Sequence, residues 1–321
     1  MPQALLSIGS NLGDRRQHLE SALDQLRRTP QLSLISHSKW HETDPIGGPA
    51  NQGVFLNGAV WVETTLEPEA LLNRLQEIEQ RLGRIRTQRW DARPLDLDLL
   101  LYDQLVWTTN HLTLPHPRLS FRRFVLEPAA EICPDMLHPV IGWTLAELLA
   151  HLNQARPYIA LAGVDSPLIQ QLADTLVAQQ IGPLVSYPHR SLTVRSLSEW
   201  LNLAQAYGRL LDPKKWIEPQ PTLSNFWFDQ LRLEAQLMLC NADFLEFCQT
   251  WSALRQHIVQ PKLTILICPS LPDSSPTQRR QLQANLVAYA STPNLGPVLT
   301  LATDNPDLLL SETSAALKAF Q

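Results

Sequence analysis

Residues 83–102, GRIRTQRWDARPLDLDLLLY, place Arg84, Arg86, Arg89 and Arg93 in one stretch with Asp96 and Asp98, and set Trp90 among the arginines. Leu95 to Tyr102 reads as a strand, on which successive side chains point to opposite faces. Asp96 and Asp98 therefore share one face, and Leu95, Leu97 and Leu99 share the other. Same-face positions lie about 6.6 Å apart at roughly 3.3 Å per residue, a spacing at which both carboxylates reach divalent cations held between them. Asp is depleted in strands and adjacent like charges repel, so the pair calls for a partner that a cation would supply. Arginine suits phosphate because its planar fork donates paired hydrogen bonds and keeps its charge. Carboxylates for magnesium beside arginines for phosphate point to nucleotide chemistry. The plainer alternative is an ion-pair network on a solvated strand and loop.

These residues need elements to hold them. Gln3 to Ile8 reads as a strand, Gly9 to Gly13 as a turn, and Asp14 to Arg28 as a helix with Leu19, Ala22, Leu23 and Leu26 on one face and Asp14 as its cap. Val54 to Thr64 reads as a second strand and Leu34 to Thr43 as a weaker one. Pro68 to Leu82 has helical spacing, with Pro68 in its first turn and Gly83 just past its end. Strands and helices mixed without regular βαβ alternation predict an α+β domain. Leu145 to Leu152 reads as a closing helix and Asn153 to Pro157 as a linker. Beyond it, apolar strands at YIALA, around Leu184, at KLTILIC and at VLTLA alternate with helices, which predicts an α/β domain with a parallel sheet. The expected domains are residues 1–155 and 156–321.

A chain of 321 residues exceeds what one core usually organises, in keeping with that seam. Hydrophobic residues at 44% and charged residues at 18% describe a globular protein. The net charge of −5 gives no general pull toward nucleic acid or a membrane surface. Cys133, Cys240, Cys248 and Cys268 form no CxxC pair, which argues against a zinc site or a disulfide framework. The opening MPQALLSIGSN lacks a basic, apolar leader, and a cytoplasmic location is expected.

Six ordered blocks give the first half a resemblance. LLSIGSNLGDR, ETDPIGG, FLNGAV, IEQRLGR, RWDARPLDLDLLLY and LPHPRLSFRRFVLEPAAEICP are similar to the 6-hydroxymethyl-7,8-dihydropterin pyrophosphokinase family. The resemblance implies a ferredoxin-like α+β fold and transfer of diphosphate from ATP to a hydroxymethyl-dihydropterin, with AMP released. It implies that Asp96 and Asp98 hold two magnesium ions. It also implies that Arg84, Arg93, His116 and Arg122 contact the nucleotide side, with Trp90 on a loop closing over the substrates. For the pterin it implies Asn57 at the ring's amide edge, Phe55 and Phe124 stacked on its faces, and Thr43, Pro45 and Ile46 in a loop supplying backbone contacts. Glu79 takes a minor, structural role. Arg123 adds a charge beside the site.

In the second half, Ser224 to Gln236 and Pro261 to Ile267 resemble deoxynucleoside kinases, a P-loop fold. The stretch YIALAGVDSPLIQQLADTL stands where a P-loop would be, yet Gly163 is followed by Val164, Asp165, Ser166 and Pro167, without the lysine and glycines that cradle phosphate. A degenerate, non-catalytic domain with a structural or regulatory role follows, and a homodimer built through it is one form of that role. The alternative is a bifunctional enzyme with a second nucleoside- or folate-related activity. A nucleic-acid module is least favoured, because two carboxylates stand beside the arginine loop.

Overall fold

The computed structural model describes residues 1–46, 52–84, 92–154, 157–179, 182–186, 196–216 and 221–319. The chain divides into two compact units, Met1–Asn153 with Ser314–Gln321, and Gln154–Thr313. The final residues therefore group with the first unit, a return for which the sequence holds no local signal.

The first unit contains β1 (Gln3–Ser10), α1 (Arg15–Arg27), β2 (Leu32–His37), β3 (His41–Thr43), β4 (Phe55–Thr64), α2 (Pro68–Arg81), β5 (Asp96–Tyr102), a short ribbon of β6 (Trp107–Thr108) and β7 (Thr113–Leu114), α3 (Arg123–Ile132) and α4 (Leu145–Leu152). Its antiparallel sheet has the order β2-β4-β1-β5, with β3 paired to β4. The chain order β1-α1-β2-β4-α2-β5 is the split βαβ arrangement that the resemblance implies. One sheet face, with Ala4, Leu6, Ile8, Leu97 and Leu99, joins Leu19, Leu23, Leu71 and Leu75 of the helices in a single core. The apolar stripes of α1 and α2 thus find the partner that their periodicity requires. Asp14 caps α1 by accepting the Gln17 N–H at 3.0 Å.

Two sequence expectations change. The strand expected over Leu34 to Thr43 is two pieces, β2 ending at His37 and β3 starting at His41, because Ser38 Oγ takes the Ala59 N–H that a continuous ladder would use. β1 runs on to Ser10, so Gly9 lies in a strand rather than a turn.

The second unit contains β8 (Tyr158–Gly163), α5 (Ser166–Ala178), β9 (Leu184–Val185), α6 (Leu197–Leu210), β10 (Thr222–Ser224), α7 (Phe228–Met238), α8 (Asn241–Arg255), β11 (Leu263–Ile267), α9 (Thr277–Ala290), β12 (Val298–Leu301) and most of α10 (Pro306–Lys318). Its sheet, β12-β11-β8-β10-β9, is parallel throughout. β8 and β11 are buried along their whole length, as strands covered on both faces must be. Among the described residues no helix is long and apolar enough to cross a membrane.

Candidate active site

Strand register builds the site. Gly9 of β1 pairs with Asn57 of β4 on one side and with Asp96 of β5 on the other, so Asn57 and Asp96 face the same way across three strands. Two residues along each strand, on that same face, stand Phe55, Ser7 and Asp98. Thr43 of β3 pairs with Phe55 and accepts the Asn57 Nδ2 hydrogen bond at 2.7 Å. A Cβ on residue 9 would lie 2.5 Å from Asn57 Oδ1, so glycine there leaves the space that the amide occupies. The first turn of α3, a helix that packs on β4, β1 and β3, brings Phe124 over this face, with the Arg122 guanidinium 5.4 Å from its ring centre.

One pocket gathers Thr43, Ile46, Phe55, Asn57, Arg93, Asp96, Asp98, Arg122 and Phe124. Its lining combines flat apolar rings and an amide with carboxylates and guanidinium groups. Arg84 and His116 stand outside the lining but near it, Arg84 through a 2.7 Å bond from Nη1 to Asp96 Oδ1. Pro45 is described but is not in the lining. Trp90, together with Arg86 and Arg89, lies outside the described residues.

The charged part is tightly connected. Arg93 donates to Asp96 Oδ1 at 3.2 Å, and Arg84 also pairs with Glu79, whose Oε1 accepts the Leu97 N–H at 2.7 Å. Glu79 is only 2% exposed, and burial pushes its carboxyl up to about 7 even though Arg84 and the Leu97 N–H oppose the rise. Burial, reinforced by the charge of Asp98, also raises the Asp96 carboxyl above the usual range, against the pull of Arg93 and Arg84. The pair fits a divalent cation, because such an ion relieves this residual repulsion. Among the described residues no cluster of three or more His, Cys, Asp or Glu side chains could cage a metal by itself. Two carboxylates with the remaining positions left to water and phosphate is the magnesium pattern.

His116 is neutral: burial, and then Arg122 and Arg118, push its imidazole down to about 3. Its Nδ1 accepts the Arg118 N–H at 3.2 Å, which assigns the ring proton to Nε2 and makes that atom a hydrogen-bond donor.

Asn11 belongs to the site's support and was hidden in the sequence inside an apparent turn. It is 6% exposed, its Oδ1 accepts the Arg93 N–H at 2.8 Å, and its own N–H reaches the Arg93 carbonyl at 3.2 Å. Arg15 is similar: its guanidinium holds the Val54 carbonyl and Glu42 Oε1, both at 2.9 Å, beside Phe55 and Thr43.

A family model described as 7,8-dihydro-6-hydroxymethylpterin-pyrophosphokinase matches residues 5–134. The 2-amino-4-hydroxy-6-hydroxymethyldihydropteridine pyrophosphokinase of Pseudomonas aeruginosa is 41% identical over 145 residues, covering 45% of this chain and 88% of that protein. The protein of the same name from Methylorubrum extorquens is 40% identical over 153 residues, covering 48% and 95%. That from Bacillus subtilis is 44% identical over 133 residues, covering 41% and 79%.

Proposed function

Because this chain belongs to the 7,8-dihydro-6-hydroxymethylpterin-pyrophosphokinase family, we propose that its first unit transfers diphosphate from ATP to 6-hydroxymethyl-7,8-dihydropterin in folate biosynthesis. The observation that carries this reading is the single pocket in which Phe55, Phe124 and Asn57 meet Asp96, Asp98 and Arg93. A flat heterocycle sandwiched by the two phenylalanines gains apolar burial and stacking, while Asn57, steadied by Thr43, reads its amide edge. The hydroxymethyl oxygen then attacks the β-phosphorus, the bond from that phosphorus to the α,β-bridging oxygen breaks, AMP leaves, and the hydroxyl proton is released. Asp96 and Asp98 would hold two magnesium ions, which would supply charge neutralisation at the phosphates. Arg93, held by Asp96, presents its guanidinium in the pocket, and Arg84, tied to Asp96 and Glu79 outside the lining, adds positive charge behind the carboxylates. His116 donates from Nε2 to a phosphate oxygen, and Arg122 adds a further cation on the nucleotide side.

For the second unit we propose a structural or regulatory role with no phosphoryl transfer. Two amides at the β8–α5 turn already have acceptors: Gly163 N–H donates to Gln230 Oε1 at 3.0 Å and Leu168 N–H to Asp165 Oδ1 at 3.2 Å. Asp165 Oδ2 is in turn paired with Arg279 at 3.0 Å. A carboxylate thus occupies the helix N-terminus where an anion would sit. The deciding experiment incubates the intact chain with ATP, magnesium and the reduced hydroxymethylpterin and follows AMP and pterin diphosphate chromatographically. No AMP above the enzyme-free control would overturn the assignment.

A further inference from the structure

We infer that the chain's C-terminal segment belongs to the pterin-binding half of the site, where it holds the first turn of α3 in the position that presents Phe124; this rests on the reading of the pocket given above. The first N–H groups of a helix need acceptors from outside it, and Arg122, at the N-cap, supplies none from its side chain. The Arg123 N–H instead donates to the Ala319 carbonyl at 3.0 Å. Ala315, Ala316, Leu317 and Ala319 are buried and Lys318 is exposed, and Ser314–Gln321 group with the first unit. The Arg123 side chain makes a second tie, donating from Nη1 to Asn153 Oδ1 at 2.7 Å and to Glu127 Oε1 at 3.0 Å. Asn153 is the C-cap of α4 and the last residue before the chain leaves the first unit. One residue thus binds the start of α3 to the points of departure and of return.

The position of Arg123 makes this matter for binding. Its neighbours on either side, Arg122 and Phe124, both line the pocket, whereas Asp96, Asp98 and Arg93 are held by the sheet and its flanking turn. A frayed first turn would leave the Phe124 ring to be ordered when the ligand binds, which weakens binding by the cost of that ordering. Asp96, Asp98 and Arg93 would not feel it, and on the nucleotide side only Arg122 shares that turn. The tail is accordingly a positioning element for the pterin above all.

The test compares the intact chain with one terminated after Thr313, with full-length Leu317→Asp and Arg123→Gln as variants that keep the chain length should truncation prevent folding. Amide exchange at Arg123 and separate titrations of the reduced hydroxymethylpterin and of ATP are measured. We expect Arg123 to lose exchange protection and the pterin Kd to rise roughly fivefold, the ratio for one lost helix cap, with the ATP Kd shifted by less than about twofold. A peptide of residues 306–321 added to the truncated chain restores the pterin Kd, and Lys318→Ala behaves as the unaltered protein. Undiminished protection of Arg123 after truncation overturns the docking, and an unchanged pterin Kd overturns its role in binding. An intact chain that binds no pterin overturns the reading of the pocket, and exchange at Arg123 then still decides whether the tail holds the helix.

Discussion

Asp96 accepts hydrogen bonds from Arg84 and Arg93, yet burial and Asp98 still raise its carboxyl above the ordinary range. Two guanidinium groups do not fully offset the burial of this acid beside a second one. We expect Asp96→Asn and Asp98→Asn to fold normally by circular dichroism and to lower turnover at saturating magnesium by about 10²–10³-fold or more. Near-normal turnover in either protein would remove the metal assignment. Truncation on the two sides of the pocket should separate: Asn57→Ala and Phe124→Ala raise KM for the pterin, while Arg84→Ala and Arg93→Ala act on ATP or on kcat. Equal losses for both substrates in all four proteins would show that the pocket is not divided in this way. Glu79 has a different signature. Its carboxyl titrates near 7 in the folded chain and at an ordinary 4.5 when unfolded, so the folded state binds the extra proton between those values. The stability it contributes is complete below about 4.5 and lost as pH rises through 7. Relative to Glu79→Gln, the protein should therefore lose up to about 3 kcal/mol across that range, read from urea unfolding at successive pH values. A pH-independent difference between the two would show that the buried carboxyl titrates normally.

Strands and helices set the distances on which those side chains depend. The alignment Asn57–Gly9–Asp96 is a property of three paired strands, and its tightest point is Gly9, where a Cβ would meet Asn57 Oδ1. Gly9→Ala should displace the Asn57 amide from Thr43 and raise KM for the pterin by about tenfold, leaving KM for ATP little changed. A normal pterin KM in that protein would place the ring edge elsewhere. Gly, Ser and Asn at positions 9 to 11 favour turns by composition, which is why the sequence suggests a turn where β1 continues to Ser10. The ladder to β4 and β5 supplies partners that outweigh this local preference. The split of residues 32–43 into β2 and β3 has a similar origin, since it follows from the meeting of Ser38 Oγ with the N–H of Ala59, a residue of another strand.

At the scale of the whole molecule, the family match ends at residue 134, and the second unit has its own core and its own parallel sheet. Gly163 closes β8 with φ +146, and Gln230 satisfies its N–H. Internal bonds thus take two amides of the turn that could cradle phosphate, and Asp165 adds a charge of the wrong sign. We expect the intact chain carrying Asp98→Asn, the substitution expected above to lower turnover in the first unit, to form no nucleoside monophosphate from nucleosides and ATP in a chromatographic assay. Calorimetry on the same protein should find no micromolar ATP site outside the first unit. Monophosphate above the enzyme-free control would instead favour a bifunctional enzyme.

The sequence by itself determined what lies within reach along the chain. Helical spacing marked α1 and α2, apolar runs marked β8 and β11, and strand alternation put Asp96 and Asp98 on one face. Each of these is written in consecutive residues, because periodicity records which side of an element is buried. The tertiary structure alone decided which elements meet. It set Gly9 between Asn57 and Asp96, clamped Arg93 through Asn11, buried Glu79 under Arg84, and returned Ala319 to the first turn of α3. No local pattern encodes those meetings, since they depend on strand pairing and burial summed over residues far apart in sequence.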